Sequence, residues 1–301
     1  MEKQELIQEI IRLKKEKNAV ILAHNYQTPE IQEIADFVGD SLELAKISHT
    51  IPNQTIVFCG VFFMAETAHI LAPEKKVLLP SLDAGCPMAD MADPHEILEL
   101  KKEHPDAAVV TYVNSTAEIK AISDICCTSS NAFQVLNSVK EKKIIFIPDR
   151  NLGRNLARFI SKEFFYIVGY CPVHEAVKKE EILKLKEIMP DAEILMHPEV
   201  NPEVAVFADK LLSTGNILKY AMNVSNKNLI IATEAGLLYQ LHKKAPQNRY
   251  FNIGRDMICP NMKKTNLQNV YEVLKNESNQ VVLDPEIREK AKKSIVRMLE
   301  I

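Results

Sequence analysis

The chain has 301 residues, 47% of them apolar and 26% charged, with a net charge of −3. This is the balance of an ordinary globular protein, long enough for two or three small cores. The charge gives no footing for nucleic acid or a membrane surface, and no apolar run approaches the roughly 20 residues that cross a bilayer.

In chain order, residues 1–17 carry an amphipathic, charged pattern (Leu6, Ile7, Ile10, Ile11, Leu13) that reads as a helix and not as a secretion signal. Strands are predicted over 19–23, 55–59, 76–79, 108–112, 143–147, 165–168, 193–196, 228–232, 249–252 and 280–283. Helices are predicted over 31–38, 42–48, 94–103, 117–122, 132–138, 175–188, 235–243, 262–275 and 285–299. The run 56–65 reads as a buried strand leading into a turn. Strand–helix alternation with short links marks parallel α/β units, whose ligands gather at the carboxyl ends of the strands. Six cysteines without a signal peptide imply a reducing cytoplasm, where cysteine is buried, catalytic or metal-bound.

A threefold repeat runs through the chain. Cys86-Pro87, Cys171-Pro172 and Cys259-Pro260 are 85 and 88 residues apart. Each repeat has an apolar run ending in His24, Tyr112 or His197, followed 12 residues on by Asp36, Asp124 or Asp209. Ser41, Ser129 and Thr214 follow at an offset of 17. Three equivalent units can close around a pseudo-threefold axis and bring equivalent residues to one point. With no linker in the sequence, the boundaries fall near each Cys-Pro: 1–85 with 265–301, then 86–170, then 171–264.

One buried cysteine is more often a small hydrophobe than a ligand, but three at equivalent positions point to a metal site, zinc or iron–sulfur. Cys59, Cys126 and Cys127 have no counterparts across the repeats and read as core, the latter two at the end of a helical stretch. Three ligands leave one iron of a cubane open as a Lewis acid, whereas an electron carrier normally uses four. Ser41, Ser129 and Thr214 each stand where a helix opens; each alone is a cap, but three beside a metal suggest a small substrate with several anionic groups. The pairs His24/Tyr26, Tyr112/Asn114 and His197/Glu199 share a direction on extended backbone. With His174, the histidines offer proton transfer near neutral pH. The three aspartates at offset 12 read as structural turns, and Lys263-Lys264 as surface or a lure for anions.

At these residues the chain resembles the quinolinate synthases. The shared motifs are Ala23-His24-Asn25-Tyr26-Gln27, Ala35-Asp36-Phe37-Val38-Gly39-Asp40-Ser41, Gly85-Cys86-Pro87-Met88-Ala89, Tyr112-Val113-Asn114-Ser115-Thr116, Pro148-Asp149-Arg150-Asn151-Leu152-Gly153, Cys171-Pro172-Val173-His174, His197-Pro198-Glu199, Ser213-Thr214-Gly215 and Asn261-Met262-Lys263-Lys264. They run in family order over nearly the whole chain. Val200 and Pro260 depart from the family pattern. The resemblance implies three pseudo-threefold-related α/β/α domains with small parallel sheets around a central [4Fe–4S] cluster. It implies condensation of iminosuccinate with dihydroxyacetone phosphate to quinolinate, with loss of phosphate and two waters. Carried over residue by residue, Cys86, Cys171 and Cys259 hold the cluster, and His24, Ser41, Tyr112, Asn114, Ser129, His197, Glu199 and Thr214 contact substrate. The expected proton-moving and positioning groups are Glu199, His197, Tyr26, Tyr112 and His24. An aspartate oxidase or dehydrogenase would supply the iminosuccinate. Rival readings are an iron–sulfur hydro-lyase of a small hydroxy acid, a non-catalytic cluster-bearing redox sensor, and a structural three-cysteine zinc site completed by His174.

Overall fold

A computed structural model describes residues 2–254 and 257–301. The apolar runs that lead the repeats become central strands of three four-stranded parallel sheets. The first sheet comprises β1 (Ala19–His24), β2 (Phe37–Gly39), β3 (Thr55–Cys59) and β4 (Lys76–Leu78). The second comprises β5 (Ala107–Tyr112), β6 (Ile125–Cys127), β7 (Lys143–Ile147) and β8 (Glu163–Tyr166). The third comprises β9 (Glu193–Met196), β10 (Lys210–Leu211), β11 (Asn228–Ala232) and β12 (Arg249–Asn252). Their strand orders are β2-β1-β3-β4, β6-β5-β7-β8 and β10-β9-β11-β12, one topology used three times. Register repeats as well: Ala23 pairs with Cys59, Thr111 with Ile147, and Met196 with Ala232.

Alternation of side chains gives each sheet two buried faces. Val20, Leu22, Ile56 and Phe58 point into one core, while Ile21, Ala23 and Val57 meet Ile10 of the N-terminal helix Lys3–Glu16 on the other side. In the second sheet, Val110 and Phe146 face one way and Val109 and Ile145 the other. In the third, Ile194 and Ile230 oppose Leu195 and Ile231. Helices cover both faces, so each unit has three α/β/α layers. The C-terminal tail divides between units. Helix Leu267–Asn276 lies on Lys3–Glu16, whereas Pro285–Leu299 packs on Ala117–Ala121 and β6 of the second unit.

The offset-12 aspartates stitch each first strand to its edge. Carboxylates of Asp36, Asp124 and Asp209 accept from the backbone N–H of Ile21, Val109 and Ile194 at 2.8, 2.8 and 2.7 Å. Their own N–H groups donate back to the same residues' carbonyls. Each aspartate therefore starts an edge strand too short to show in the sequence.

Several local expectations change. The helix expected over 31–38 stops at Ile34, and Phe37–Gly39 becomes β2. Cys126 and Cys127 lie in β6 and not at a helix end; both are buried. The strand expected over 55–59 is β3, but where the run 56–65 was expected to go on into a turn it enters helix Phe62–Leu71, whose residues after Phe62 are all buried. Without a polar face such a helix leaves no period to read. Strand 165–168 sits two residues earlier as β8, and 280–283 contributes one antiparallel bridge, Leu78–Gln280. The helix expected over 175–188 begins later: Glu175 closes the turn Pro172–Glu175, and the helix runs over Lys179–Ile188. Helix Arg150–Ala157, capped by Asp149, was not expected.

Candidate active site

The twelve residues expected to bind metal or substrate or to move protons line one cavity between the three units: His24, Tyr26, Ser41, Cys86, Tyr112, Asn114, Ser129, Cys171, His197, Glu199, Thr214 and Cys259. His24 and Tyr112 end β1 and β5, and His197 follows β9 directly. The lining is therefore drawn from the carboxyl ends of parallel strands.

At one end stand the cysteines. Each thiol precedes a tight turn: Cys86 caps Pro87–Asp90, Cys171 caps Pro172–Glu175, and Cys259 leads into the 3₁₀ turn Met262–Lys264. Proline fixes the first turn position and removes a donor there. The next backbone N–H groups then reach the sulfur: Met88 and Ala89 on Cys86, His174 on Cys171, Asn261 and Met262 on Cys259. Burial pushes the Cys86 thiol up to about 12 and raises those of Cys171 and Cys259. Three half-buried sulfurs with converging N–H donors favour thiolates only when a cation sits among them. That donor set fits a soft metal centre.

Glu199 occupies the middle. Tyr112 donates to its Oε1 at 2.6 Å, and His174 Nδ1 lies 2.8 Å from its Oε2. His174 Nε2 is 3.0 Å from Thr233 Oγ1, which is 2.7 Å from the Tyr26 hydroxyl. Burial lowers His24 to about 4 and His197 to about 3, leaving both rings neutral at pH 7. Burial opposes charge on Glu199, but neighbouring His197 and His174 and hydrogen bonds from His174 and Tyr112 outweigh it and lower its carboxyl. With His197 neutral, the hydrogen bonds carry that effect. Tyr26 and Tyr112 are raised well above 10, by burial first and then by the Glu199 charge, so both stay protonated.

Cys171, His174 and Glu199 also form a group with ligand atoms within 4.8 Å of one another. His174 Nδ1 lies 3.2 Å from Cys171 Sγ and 2.8 Å from Glu199 Oε2. Ligands sharing a tetrahedral zinc sit about 3.3–3.6 Å apart, from Zn–N, Zn–O and Zn–S bonds of about 2.0–2.3 Å. His174 is thus seated as a hydrogen-bonding partner of Glu199.

At the far end three helix starts meet. Asp40 accepts from Leu42 and Glu43 N–H at the head of Ser41–Thr50, and Ser213 accepts from Asn216 N–H at the head of Thr214–Met222. Ser130 donates to Asp40 Oδ2 at 2.5 Å and lies 2.8 Å from Ser213 Oγ, tying one residue of each unit together. Gly215 permits this approach: a Cβ there would meet Asp40 Oδ2 at 2.5 Å. Ser129 faces His197 Nε2 at 3.2 Å. Among the described residues lining the cavity there is no lysine or arginine, so anion recognition here falls to hydroxyls, amides and helix N–H groups.

Thr233 and Glu234 escaped the sequence reading. They follow β11, as Gly60 and Val61 follow β3 and Pro148 and Asp149 follow β7. Both lie at fixed offsets from the ring residues, and that repeat position was the signal available. Glu234 accepts from Gly236 N–H at 2.7 Å and from Cys259 N–H at 3.1 Å, and pairs with Lys263 at 2.7 Å.

Residues 8–300 match the family model described as quinolinate synthetase A protein. A quinolinate synthase of Geotalea uraniireducens is 51% identical over 301 residues, covering 100% of this chain and 99% of that protein. One of Alkaliphilus metalliredigens is 50% identical over 302 residues, covering both chains in full. One of Clostridioides difficile is 48% identical over 295 residues, 98% of this chain and 97% of its own. With a match along nearly its whole length and half its residues shared with these relatives, the chain belongs to the quinolinate synthetase A family.

Proposed function

We propose that this chain is a quinolinate synthase that condenses iminosuccinate with dihydroxyacetone phosphate, releasing quinolinate, phosphate and two waters. The observation that carries the reading is one cavity joining three Cys-Pro thiols to a buried Glu199 hydrogen-bonded by Tyr112 and His174. Cys86, Cys171 and Cys259 would hold a [4Fe–4S] cluster, which when bound supplies a Lewis acid at the iron lacking a cysteine. Ser41, Ser129, Thr214 and Asn114 receive the carboxylates and phosphate as neutral donors. His24 and His197, neutral through burial, accept or donate single hydrogen bonds to substrate. Glu199 takes protons during the dehydrations, and Tyr26 and Tyr112 position and hand on protons. A reducing cytoplasm suits three free thiols, and an aspartate-oxidising enzyme would supply the iminosuccinate.

The test joins metal analysis to turnover. Anaerobically purified chain is expected to hold about four iron and four sulfide and to form quinolinate from the two substrates. Glu199→Gln is expected to keep the cluster spectrum and lose about 10²-fold or more in kcat. One zinc and no sulfide, or a metal-loaded chain inert to triose phosphate, would overturn the proposal.

A further inference from the structure

The three units grip one another in a ring. Helix Phe62–Leu71 of the first unit sets Glu66 Oε2 3.1 Å from the Ala117 N of the second, which donates to it. Helix Leu237–Lys244 of the third unit donates from Gln240 to Gln32 Oε1 at 2.7 Å. Gln32 Nε2 in turn holds the Asn25 and Gln27 carbonyls, on either side of Tyr26, at 3.1 and 2.8 Å. The remaining grip is the most direct. From helix Arg150–Ala157 of the second unit, Asn155 Nδ2 donates to the Pro198 and Val200 carbonyls, both at 2.9 Å. Asn151, four residues earlier on the same helix face, donates to the Glu199 carbonyl at 3.2 Å.

Three consecutive carbonyls of the loop after β9 are thus taken up by side chains of a neighbouring unit. Residues 197–200 are all buried, and among the described residues no backbone N–H reaches these carbonyls. A buried carbonyl needs a donor, and because it only accepts, each asparagine must turn its NH₂ toward it. Asn155 does so although its own Oδ1 is left buried without a hydrogen bond, so the residue is placed for its donors. The second N–H of Asn151 goes to Glu175 Oε2 at 2.6 Å, at the end of the turn that Cys171 opens. One amide therefore sets the spacing between that turn and Glu199.

We propose that Asn151 and Asn155 are positioning residues for the reaction, fixing from outside the cavity the backbone that carries His197 and Glu199. Neither lines the cavity, nor does any other residue of the Pro148-Asp149-Arg150-Asn151-Leu152-Gly153 motif. Their effect passes through geometry. The Glu199 side chain meets Tyr112 at 2.6 Å and His174 at 2.8 Å, so a loop displaced by about an ångström breaks those contacts with every reacting group still present. Misplacement on that scale costs about 10²-fold in rate.

The inference rests on the synthase reading and is tested beside it with the wild-type chain as control. Asn155→Ala removes shape and donors together; Asn155→Leu keeps the shape and removes only the donors. In cluster-loaded protein both are expected to lower kcat about 10²-fold with KM and iron content unchanged. Asp209→Ala, which removes a hydrogen bond from the same unit away from the cavity, is expected to keep wild-type kcat. Hydrogen exchange in the ¹⁵N-asparagine-labelled, metal-free wild-type chain reads the grip without turnover or substitution. The side-chain NH₂ groups of Asn151 and Asn155 are expected to exchange more slowly than those of surface asparagines. A Leu variant with wild-type kcat, a raised KM at unchanged kcat, or an Asp209→Ala variant as slow as Asn155→Leu would each overturn the proposal. So would NH₂ exchange as fast as at the surface. A wild-type chain that makes no quinolinate would overturn the synthase reading instead, and the exchange rates would still judge the grip.

Discussion

Replacing Glu234 with alanine should loosen the third cysteine and the chain together. The side chain is 1% exposed and holds three partners: Gly236 N–H, Cys259 N–H and the Lys263 ammonium. Lys263 also donates to the Tyr26 carbonyl, and Gln27 Nε2 donates to the Met262 carbonyl at 2.8 Å. Glu234 is therefore where the Cys259 turn is fastened to β11, while Tyr26 and Gln27 fasten it to the first unit. Each lost N–H bond costs about 1 kcal/mol. Stranding a largely covered lysine adds about 1–2 kcal/mol, so Glu234→Ala should lose about 3–4 kcal/mol in all. Glutamine keeps one acceptor oxygen but turns an amide NH₂ toward a cation or an N–H, and should lose about half as much. Urea denaturation of the metal-free chain measures the stability; iron per chain after reconstitution measures the fastening. Full iron with stability within about 0.5 kcal/mol of wild type, the range of an ordinary surface change, would refute the reasoning.

Single Cys86→Ser, Cys171→Ser or Cys259→Ser changes should each abolish iron retention, whereas Cys59→Ala, Cys126→Ala and Cys127→Ala should keep it; metal analysis after anaerobic reconstitution distinguishes the two sets. Asp209→Ala removes the acceptor for Ile194 N–H and the partner of Lys186, costing about 1 kcal/mol at neutral pH. Because the Asp209 carboxyl lies below its ordinary value in the folded chain, its stabilisation is present above about pH 4 and lost as pH falls further. Wild type and variant should converge there in acid titrations followed by circular dichroism. His69 is buried with neither ring nitrogen hydrogen-bonded, and burial and Arg288 lower its ring below 6.5. A folded value below the unfolded one confers stability above about pH 6.5 that is lost on acidification. His69→Leu should flatten that slope between pH 6.5 and 5 and raise stability by about 1 kcal/mol.

The central strands and the cavity lining were legible because both recur. Three apolar runs of the same kind, each ending in a ring residue, gave β1, β5 and β9, and the fixed offsets gave Ser41, Ser129 and Thr214. What was hidden had no period of its own. Edge strands β2, β6 and β10 have two or three residues, and their pairing is set by a distant aspartate rather than by alternation. Helix Phe62–Leu71 is buried on every side, so apolar residues in it mark no face. Helix Leu267–Asn276 follows its 3₁₀ turn after a two-residue link, and the sequence joined the two. Thr233 was passed over because its repeat partners, Gly60 and Pro148, share no chemistry with it; Glu234 has a carboxylate counterpart in Asp149 but only an apolar one in Val61, so the repeat shows it in two units of three.

That mismatch separates scaffold from chemistry. Equivalent positions in a threefold framework deliver equivalent groups, and the thiols of Cys86, Cys171 and Cys259 are of that kind. A four-cornered metal centre held by these three would keep one corner for something else, so an open site would follow from symmetry without any ligand having been removed. Proton traffic has the opposite need: an acid, a base and a relay must differ. The cavity meets it where the repeat is broken. Two residues past the ring positions stand Tyr26, Asn114 and Glu199. Giving Glu199 the amide of its counterpart Asn114, as Glu199→Asn would, should spare the metal and stop the reaction. Making the thiols unequal should do the reverse and remove the metal first.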